Sequence, residues 1–98
     1  MNKNAKEEIL KHTDNRRVIY VDVTRLSIVD SGINIKGTLE EVLPLLDFEY
    51  NNESGNQKLD GTIWYKDGTW SDRSEYEGLE WWEHRICPAL PDNLTNNN

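Results

Sequence analysis

The sequence predicts a small α+β domain, built mainly of antiparallel sheet with one or two short helices. Three observations lead to this fold class. The chain has 98 residues, a length that suits one domain. Residues 17–24 alternate in apolar character and are rich in β-branched side chains, which is typical of a strand. An Asp-Gly and a Glu-Gly dipeptide separate three aromatic-rich runs, and this pattern predicts a C-terminal three-stranded meander.

The single domain, residues 1–98, divides into three segments by composition. We expect residues 1–16 to form a short helix, over residues 4–12, or a frayed N-terminus. Residues 17–90 hold the sheet core. The polar tail, residues 91–98, is expected to be disordered because it offers no apolar side chains in a regular pattern.

Short strands are predicted in the first half of the chain. The strand over residues 17–24 is the clearest of them. Residues 26–29 and 33–36 resemble two further strands on either side of a turn at 30–32, where Asp, Ser and Gly are typical turn residues. Residues 48–51 are a fourth candidate strand.

One short helix is predicted between these strands. Thr38 is expected to cap a helix that ends by Leu46, with Glu41 completing a capping box. Pro44 lacks a backbone donor, so the helix should span only one or two turns. The polar segment 51–57 is expected to be an exposed loop.

The turn dipeptides of the meander also predict a register for its strands, residues 62–66, 69–76 and 79–86. If Asp67-Gly68 and Glu77-Gly78 are both two-residue loops, the opposing pairs include Trp64–Ser71, Tyr65–Trp70, Asp72–Glu83, Arg73–Trp82 and Glu75–Glu80. Glu75 and Glu80 repel each other across the strands, so a cation from Arg73, Arg85 or a partner should compensate.

Side chains alternate across a strand, so this register divides the meander into two faces. The face expected to pack on the core carries Ile63, Tyr65, Trp70, Tyr76, Leu79 and Trp81. The opposite face carries Trp64, Lys66, Ser71, Arg73, Glu75, Glu80, Trp82 and His84. On this second face, Arg73 lies beside Trp82 and diagonal to Trp64, so its guanidinium is placed to stack between two indoles.

Two interpretations of this second face remain open. In the structural one, the face packs under residues 38–46 and Arg73 is a stacked structural residue. In the functional one, it is an aromatic and arginine binding patch. The candidate binding residues are Trp64, Arg73 and Trp82, followed by Glu75 and Glu80.

The charge distribution restricts the kind of partner. The formal net charge is −7, and residues 37–98 carry 4 basic and 13 acidic side chains, a net of −9. Direct nucleic-acid binding is not expected, because its affinity depends on neutralising phosphates. The acidic half is either a solvated surface or a face for a basic partner, with a DNA mimic as one form of the latter.

Few residues offer catalytic or metal-binding chemistry. His12, His84 and Cys87 do not have the spacing of a zinc site. His84 and Cys87 should point to opposite faces, with Cys87 buried or half-buried. Asp72 and Glu83 should oppose each other on the core side, as a rim pair or a metal-like pair. Because phosphate-loop and nucleophile-elbow motifs are also missing from the sequence, we expect no catalytic residue, metal or cofactor, and no enzyme.

The sequence favours the cytoplasm. It contains no apolar run of about 20 residues that could cross a membrane, and its N-terminus does not have the pattern of a secretory signal. A single cysteine fits a reducing compartment.

Residues 61–88 carry a distinctive spacing of aromatic and glycine residues: Trp64, Asp67-Gly68-Thr69-Trp70, Arg73, Glu75-Tyr76, Gly78, Glu80-Trp81-Trp82 and Pro88. This spacing resembles a signature of small, mostly uncharacterised proteins of tailed bacteriophages and prophages. The resemblance covers under a third of the chain. It implies a phage accessory protein that acts in the bacterial cytoplasm, with no activity assigned to particular residues.

The leading functional hypothesis is an acidic, non-enzymatic phage protein that binds and modulates or inhibits a host protein, for example one of defence or nucleic-acid processing. The partner would present a basic surface. The alternative is a module that binds a nucleotide or a sugar on its aromatic and arginine face. A second alternative is a structural virion component that pairs through an edge strand. The sequence leaves the oligomeric state open.

Overall fold

A computed structural model describes residues 2–26, 32–51 and 55–89 of the chain, and its fold is α+β as predicted. The elements in chain order are β1 (Asn2–Asn4), α1 (Ala5–His12), β2 (Val18–Arg25), β3 (Ile33–Gly37), α2 (Leu39–Val42), a 3₁₀ helix (Leu43–Leu46), β4 (Glu49–Asn51), β5 (Leu59–Tyr65), β6 (Trp70–Tyr76) and β7 (Leu79–Arg85). The predicted strand over 26–29 and the turn at 30–32 lie mostly outside the described residues. The tail, 91–98, lies entirely outside them.

The described strands form two antiparallel sheets. The larger has five strands in the order β3-β2-β5-β6-β7, and the smaller pairs β1 with β4. The predicted meander is therefore confirmed as β5-β6-β7. The pairing of β2 with β5 connects this meander to the N-terminal half of the chain.

The core lies on one side of the five-stranded sheet. Alternate residues of the strands point into it, among them Val21, Val23 and Ile63, and each of these three is fully buried. Helix α1, the 3₁₀ helix and β4 cover this inner face with further buried residues: Ile9, Leu46 and Tyr50. No outer-face side chain of the described strands is buried, so the two sides of the sheet meet very different environments.

Both helices begin with a side-chain cap, of which the one at Thr38 was predicted. Asn4 accepts the backbone N–H of Glu7 at 3.0 Å and starts α1. Thr38 and Glu41 form the predicted capping box, in which each side chain accepts the backbone N–H of the other. Pro44 lies in the 3₁₀ helix that follows, which agrees with the prediction of a short helical segment.

The two turns of the meander differ. Glu77 and Gly78 have φ values of 50° and 86°, which form the expected two-residue type I′ turn, so Arg73 lies opposite Trp82. The first turn is not the expected two-residue loop. The N–H of Tyr65 donates to the carbonyl of Thr69, and Gly68 has a φ of 88°, so the loop contains three residues and a glycine bulge.

Because of this extra loop residue, the observed register of β5 and β6 differs from the predicted one by one position. Ile63 lies opposite Ser71, and Trp64 lies opposite Trp70. A shift of one residue turns a strand's side chains to the other face of the sheet. The predicted core face is therefore wrong for β6 and β7: Ser71, Arg73, Glu80 and Trp82 point inward, whereas Trp70, Tyr76, Leu79 and Trp81 do not.

Two glycines allow a test of the strand pairing. A Cβ at Gly61 would lie 2.2 Å from the backbone oxygen of Asp22, whereas a Cβ at Gly68 would meet nothing within 4 Å. We expect Gly61→Ala to destabilise the fold by about 3 kcal/mol, because two strand backbones must separate. Gly68→Ala should cost about 1 kcal/mol, through its left-handed backbone alone. Urea unfolding of both variants measures the difference, and equal midpoints would contradict the close β2–β5 approach.

Candidate functional site

The outer face of the five-stranded sheet carries aromatic side chains on neighbouring strands. Tyr20 on β2 lies opposite Trp64 on β5, and Trp64 lies opposite Trp70 on β6. The rings of Tyr20 and Trp64 are 5.9 Å apart, and the two residues are 39% and 42% exposed. Trp81 on β7 also points to this side and is 36% exposed. We call these four residues the aromatic platform.

Two indoles of the aromatic platform are held by carboxylates of their own strands. Trp70 Nε1 donates to Asp72 Oδ2 at 3.2 Å, and Trp81 Nε1 donates to Glu83 Oε1 at 3.0 Å. In both cases the acceptor is two residues further along and therefore on the same face. The polar edges of these rings are thus satisfied within the protein.

A row of polar residues crosses the same face beside the rings. Asp22, Thr62, Asp72 and Glu83 occupy successive positions in register on β2, β5, β6 and β7. The predicted pairing of Asp72 with Glu83 is confirmed, but the pair lies on the outer rather than the core side. Arg85 binds Asp72 through a 3.1 Å contact. Among the described residues, no group of His, Cys, Asp or Glu is arranged to hold a metal ion.

A buried ion-pair cluster occupies the inner face behind this surface. Arg73 donates through Nε and Nη2 to Glu80 Oε1, at 3.1 and 2.8 Å, and through Nη1 to Glu8 Oε2 at 3.0 Å. Tyr50 accepts from Arg73 and donates to Glu8. The side chains of Arg73, Glu80 and Glu8 are 0%, 1% and 9% exposed. We call Glu8, Tyr50, Arg73 and Glu80 the Arg73 cluster.

The ionisation of the Arg73 cluster follows from its contacts. Burial, and then the hydrogen bond to Glu8, raises the pKa of Tyr50, so its phenol keeps its proton and donates it to that carboxylate. Burial alone would lower the pKa of Arg73, but the charge of Glu8 and the contacts with Tyr50 and Glu80 outweigh it and raise that pKa. Glu80 also accepts the backbone N–H groups of Lys58 and Leu59.

The structure does not bring the predicted binding residues together on one surface. Arg73, Glu80 and Trp82 are buried on the inner face, whereas Trp64 is exposed on the outer face. The expected stacking of Arg73 on Trp82 is confirmed, with the guanidinium carbon 5.3 Å from the ring centre. The expected stacking on Trp64 is wrong, because the three-residue first loop turns Trp64 to the other side.

Glu75 and Glu80 are the acidic pair among the predicted binding residues. Glu75 lies opposite Glu80, as predicted, and Arg73 compensates the charge of Glu80. Glu75 is exposed near the end of β6, where its side chain accepts the N–H of Gly78 at 3.1 Å. The elements that enclose Arg73 are α1 and β4 rather than residues 38–46, because Glu8 and Tyr50 supply its remaining contacts.

Sequence reasoning missed Tyr20 and misplaced Trp70 and Trp81. A usable signal was present in the repeated spacing of a tryptophan and an acid two residues later, in Trp70-x-Asp72 and Trp81-x-Glu83. This spacing places the indole N–H and a carboxylate on the same strand face. The contact of Tyr20 with Trp64 had no comparable local signal.

A second polar contact joins α1 to the sheet. His12 Nε2 lies 2.8 Å from Ser71 Oγ, and the hydroxyl of Tyr65 lies 2.7 Å from the same atom. A serine beside a histidine is the arrangement of an activated nucleophile. Ser71 is fully buried, however, so a substrate has no access to its oxygen, and the contact attaches the helix to the sheet.

The position of Cys87 corrects another expectation. Cys87 is exposed rather than buried or half-buried. The reason is that β7 ends at Arg85, so Cys87 lies beyond the last residue that the sheet holds. His84, within β7, is half-buried, and its Nε2 contacts Thr69 Oγ1 at 2.9 Å.

Comparisons of the chain with protein-family models, curated proteins and solved structures found no match. Within the described residues, none of the helices has the length and apolar character needed to cross a membrane. The candidate site therefore depends on the geometry of this chain alone.

The cluster and a surface ion pair provide a matched test of stability. Arg73→Ala leaves Glu8 and Glu80 buried without their cation, and we expect a loss of about 3–5 kcal/mol in the free energy of unfolding. Arg85→Ala removes the half-exposed pair with Asp72 and should cost less than about 1 kcal/mol. Chemical denaturation compares the two, and a similar loss for both would show that the Arg73 cluster is not structural.

The contact of His12 with Ser71 predicts a pH dependence. Burial, and then the charge of Arg16, lowers the pKa of His12 below its usual 6.5. Between the lowered pKa and 6.5, the unfolded chain binds a proton that the folded chain does not. Stability should therefore decrease as the pH falls below 6.5. Urea midpoints from pH 8 to pH 5 test this, and a His12→Gln variant should show a flatter profile over the same range.

Proposed function

We propose that this chain is a non-enzymatic, acidic phage protein that binds a host protein through its aromatic platform and thereby modulates or inhibits that protein. The observation that carries the proposal is the outer face, which no other described element covers, where exposed rings lie on adjacent strands and two of the indoles are held by hydrogen bonds. The bacterial cytoplasm is the proposed site of action, on the resemblance of residues 61–88 to phage proteins.

The aromatic platform has the composition of a protein interface. Tyrosine and tryptophan are enriched in the residues that contribute most to binding energy. Rings that are already held in place lose little conformational freedom when a partner binds. Trp70 and Trp81 meet this condition through their bonds to Asp72 and Glu83. A binding role explains why such rings occupy a face that the described residues leave uncovered.

The charges around the rings favour a basic partner. The outer face carries the carboxylates of Asp22, Asp60, Asp72 and Glu83 against the cations of Lys36 and Arg85. An arginine of a partner can stack on an indole while its guanidinium pairs with a neighbouring carboxylate. A surface rich in arginine and lysine therefore fits both the rings and the acids.

The buried polar groups favour a binding role over catalysis. Arg73 engages both Glu8 and Glu80, and Ser71 is enclosed between His12 and Tyr65. A catalytic role would require these groups to give up the partners that hold the fold together.

A sugar is the second candidate ligand, and one observation favours it. Exposed rings beside carboxylates and the hydroxyl of Thr62 offer both stacking and hydrogen bonds to a pyranose. A nucleotide fits less well, because the same carboxylates would repel its phosphates.

The test of the proposed function uses two platform variants and one matched control. A host protein captured with the full chain would be purified and titrated against Tyr20→Ala, Trp64→Ala and Leu45→Ala. Leu45 is 60% exposed and lies in the 3₁₀ helix, away from the platform. We expect each platform variant to weaken binding by about 10-fold or more, because interface aromatics carry much of the binding energy. Leu45→Ala should bind as the unmodified chain does.

The same titration distinguishes the alternatives. Binding to a basic partner should weaken between low and physiological salt, because the exposed carboxylates are screened. Unchanged affinity in both platform variants would contradict the proposal. Binding of sugars on an array, lost in Trp64→Ala, would favour the second candidate instead.

A further inference from the structure

The two edge strands of the five-stranded sheet, β3 and β7, differ in how well they are protected from pairing with another strand. An edge strand leaves backbone groups unpaired, and proteins usually protect it with a short strand, lysine, proline or a bulge. β3 has five residues, includes Lys36, and leads directly into capped α2. β7 has seven residues, contains neither lysine nor proline, and pairs with β6 in an unbroken register.

The second turn determines which backbone groups of β7 are free. In a two-residue type I′ hairpin, the residues that flank the loop form a hydrogen-bonded pair, and such pairs then alternate along the strands. Tyr76 and Leu79 are that flanking pair. The N–H and C=O groups of Glu80, Trp82 and His84 therefore point away from β6, along an edge with which no other described strand pairs.

An open groove runs beside this edge. It has a volume of about 560 Å³ and separates β7 from the N-terminal segment, with Trp81 and Trp82 on one side and Lys3, Glu7 and Lys11 on the other. A groove between an edge strand and a helix is the arrangement in which peptides add to a sheet as an extra strand. Backbone hydrogen bonds supply the affinity in such complexes, and alternate side chains supply the specificity.

The charges of the groove differ from those of the platform. Glu8 also lines the groove, but both of its oxygens are already engaged, by Tyr50 and Arg73. The N-terminal side of the groove therefore has a net positive charge, from Lys3 and Lys11 against Glu7. On the outer face beside the same edge, Trp81 and Glu83 favour a cation.

We propose that the partner attaches through an extended segment that pairs with β7 as a sixth strand, with cationic residues toward Trp81 and Glu83 and acidic or polar residues toward Lys3 and Lys11. This inference rests on the proposed function, since it names how the host protein attaches. The two charge preferences follow from the alternation of side chains along a strand, which sends successive residues to opposite faces.

The probe for this test is an octapeptide selected from a random displayed library against the full chain. We expect the selected peptides to alternate basic residues with acidic or polar ones. On binding, the amides of Glu80, Trp82 and His84 should become protected from hydrogen exchange. Methylation of alternate peptide nitrogens should weaken binding about 10-fold, whereas methylation of the intervening nitrogens should change it by less than about 2-fold.

Charge reversal in the groove supplies a matched comparison. Lys3→Glu and Lys11→Glu should each weaken peptide binding several-fold, because they oppose its acidic residues. Lys66→Glu, in the loop between β5 and β6 and outside the groove, should leave binding unchanged. The fold of each variant is checked by its unfolding midpoint, since all three side chains are exposed.

Four outcomes would overturn the inference: no selected peptide, a peptide that contacts only the aromatic platform, equal effects of methylation at every position, or a purified chain that dimerises through β7. None of these outcomes depends on Tyr20→Ala or Trp64→Ala. If Tyr20→Ala and Trp64→Ala still weaken binding of the host protein, the proposed function stands and only the inference of strand addition is overturned.

Discussion

The fold depends on one buried arginine that joins parts of the chain distant in sequence. Arg73 on β6 binds Glu8 of α1, Tyr50 of β4 and Glu80 of β7. Burying charges is costly unless each one is paired and its hydrogen bonds are made. Here the guanidinium and both carboxylates have their partners inside the protein. This requirement determines where α1 and β4 lie over the sheet, since a displaced element would leave a charge unpaired.

The position of the Arg73 cluster explains the difference between the two faces of the meander. The inner face of β6 and β7 is occupied by charged and polar groups with buried partners, together with Trp82. The remaining aromatic residues of these strands are left on the outer face, where Asp72 and Glu83 hold two of the indoles. The aromatic platform is thus a consequence of how the interior is filled.

The same attachment accounts for the edge of β7, with which no other strand in the described part of the chain pairs. Helix α1 is attached to β6 by two contacts, Glu8 with Arg73 and His12 with Ser71. Neither contact places the helix over β7. A groove remains between the helix and the last strand of the sheet. The platform and the groove meet at Trp81, so that one partner is able to contact both surfaces.

The sequence by itself determined the elements whose signals are local. The alternation of β2, the capping box of Thr38 and Glu41, and the Glu77-Gly78 turn each depend on residues a few positions apart, and each was predicted correctly. Only the tertiary structure decided which faces are buried. Asp67-Gly68 is compatible with a loop of two residues or of three, and this difference of one residue decides whether the Trp70 side or the Arg73 side of β6 faces the core. The choice is made by Glu8, 65 positions from Arg73, because a buried guanidinium requires that carboxylate.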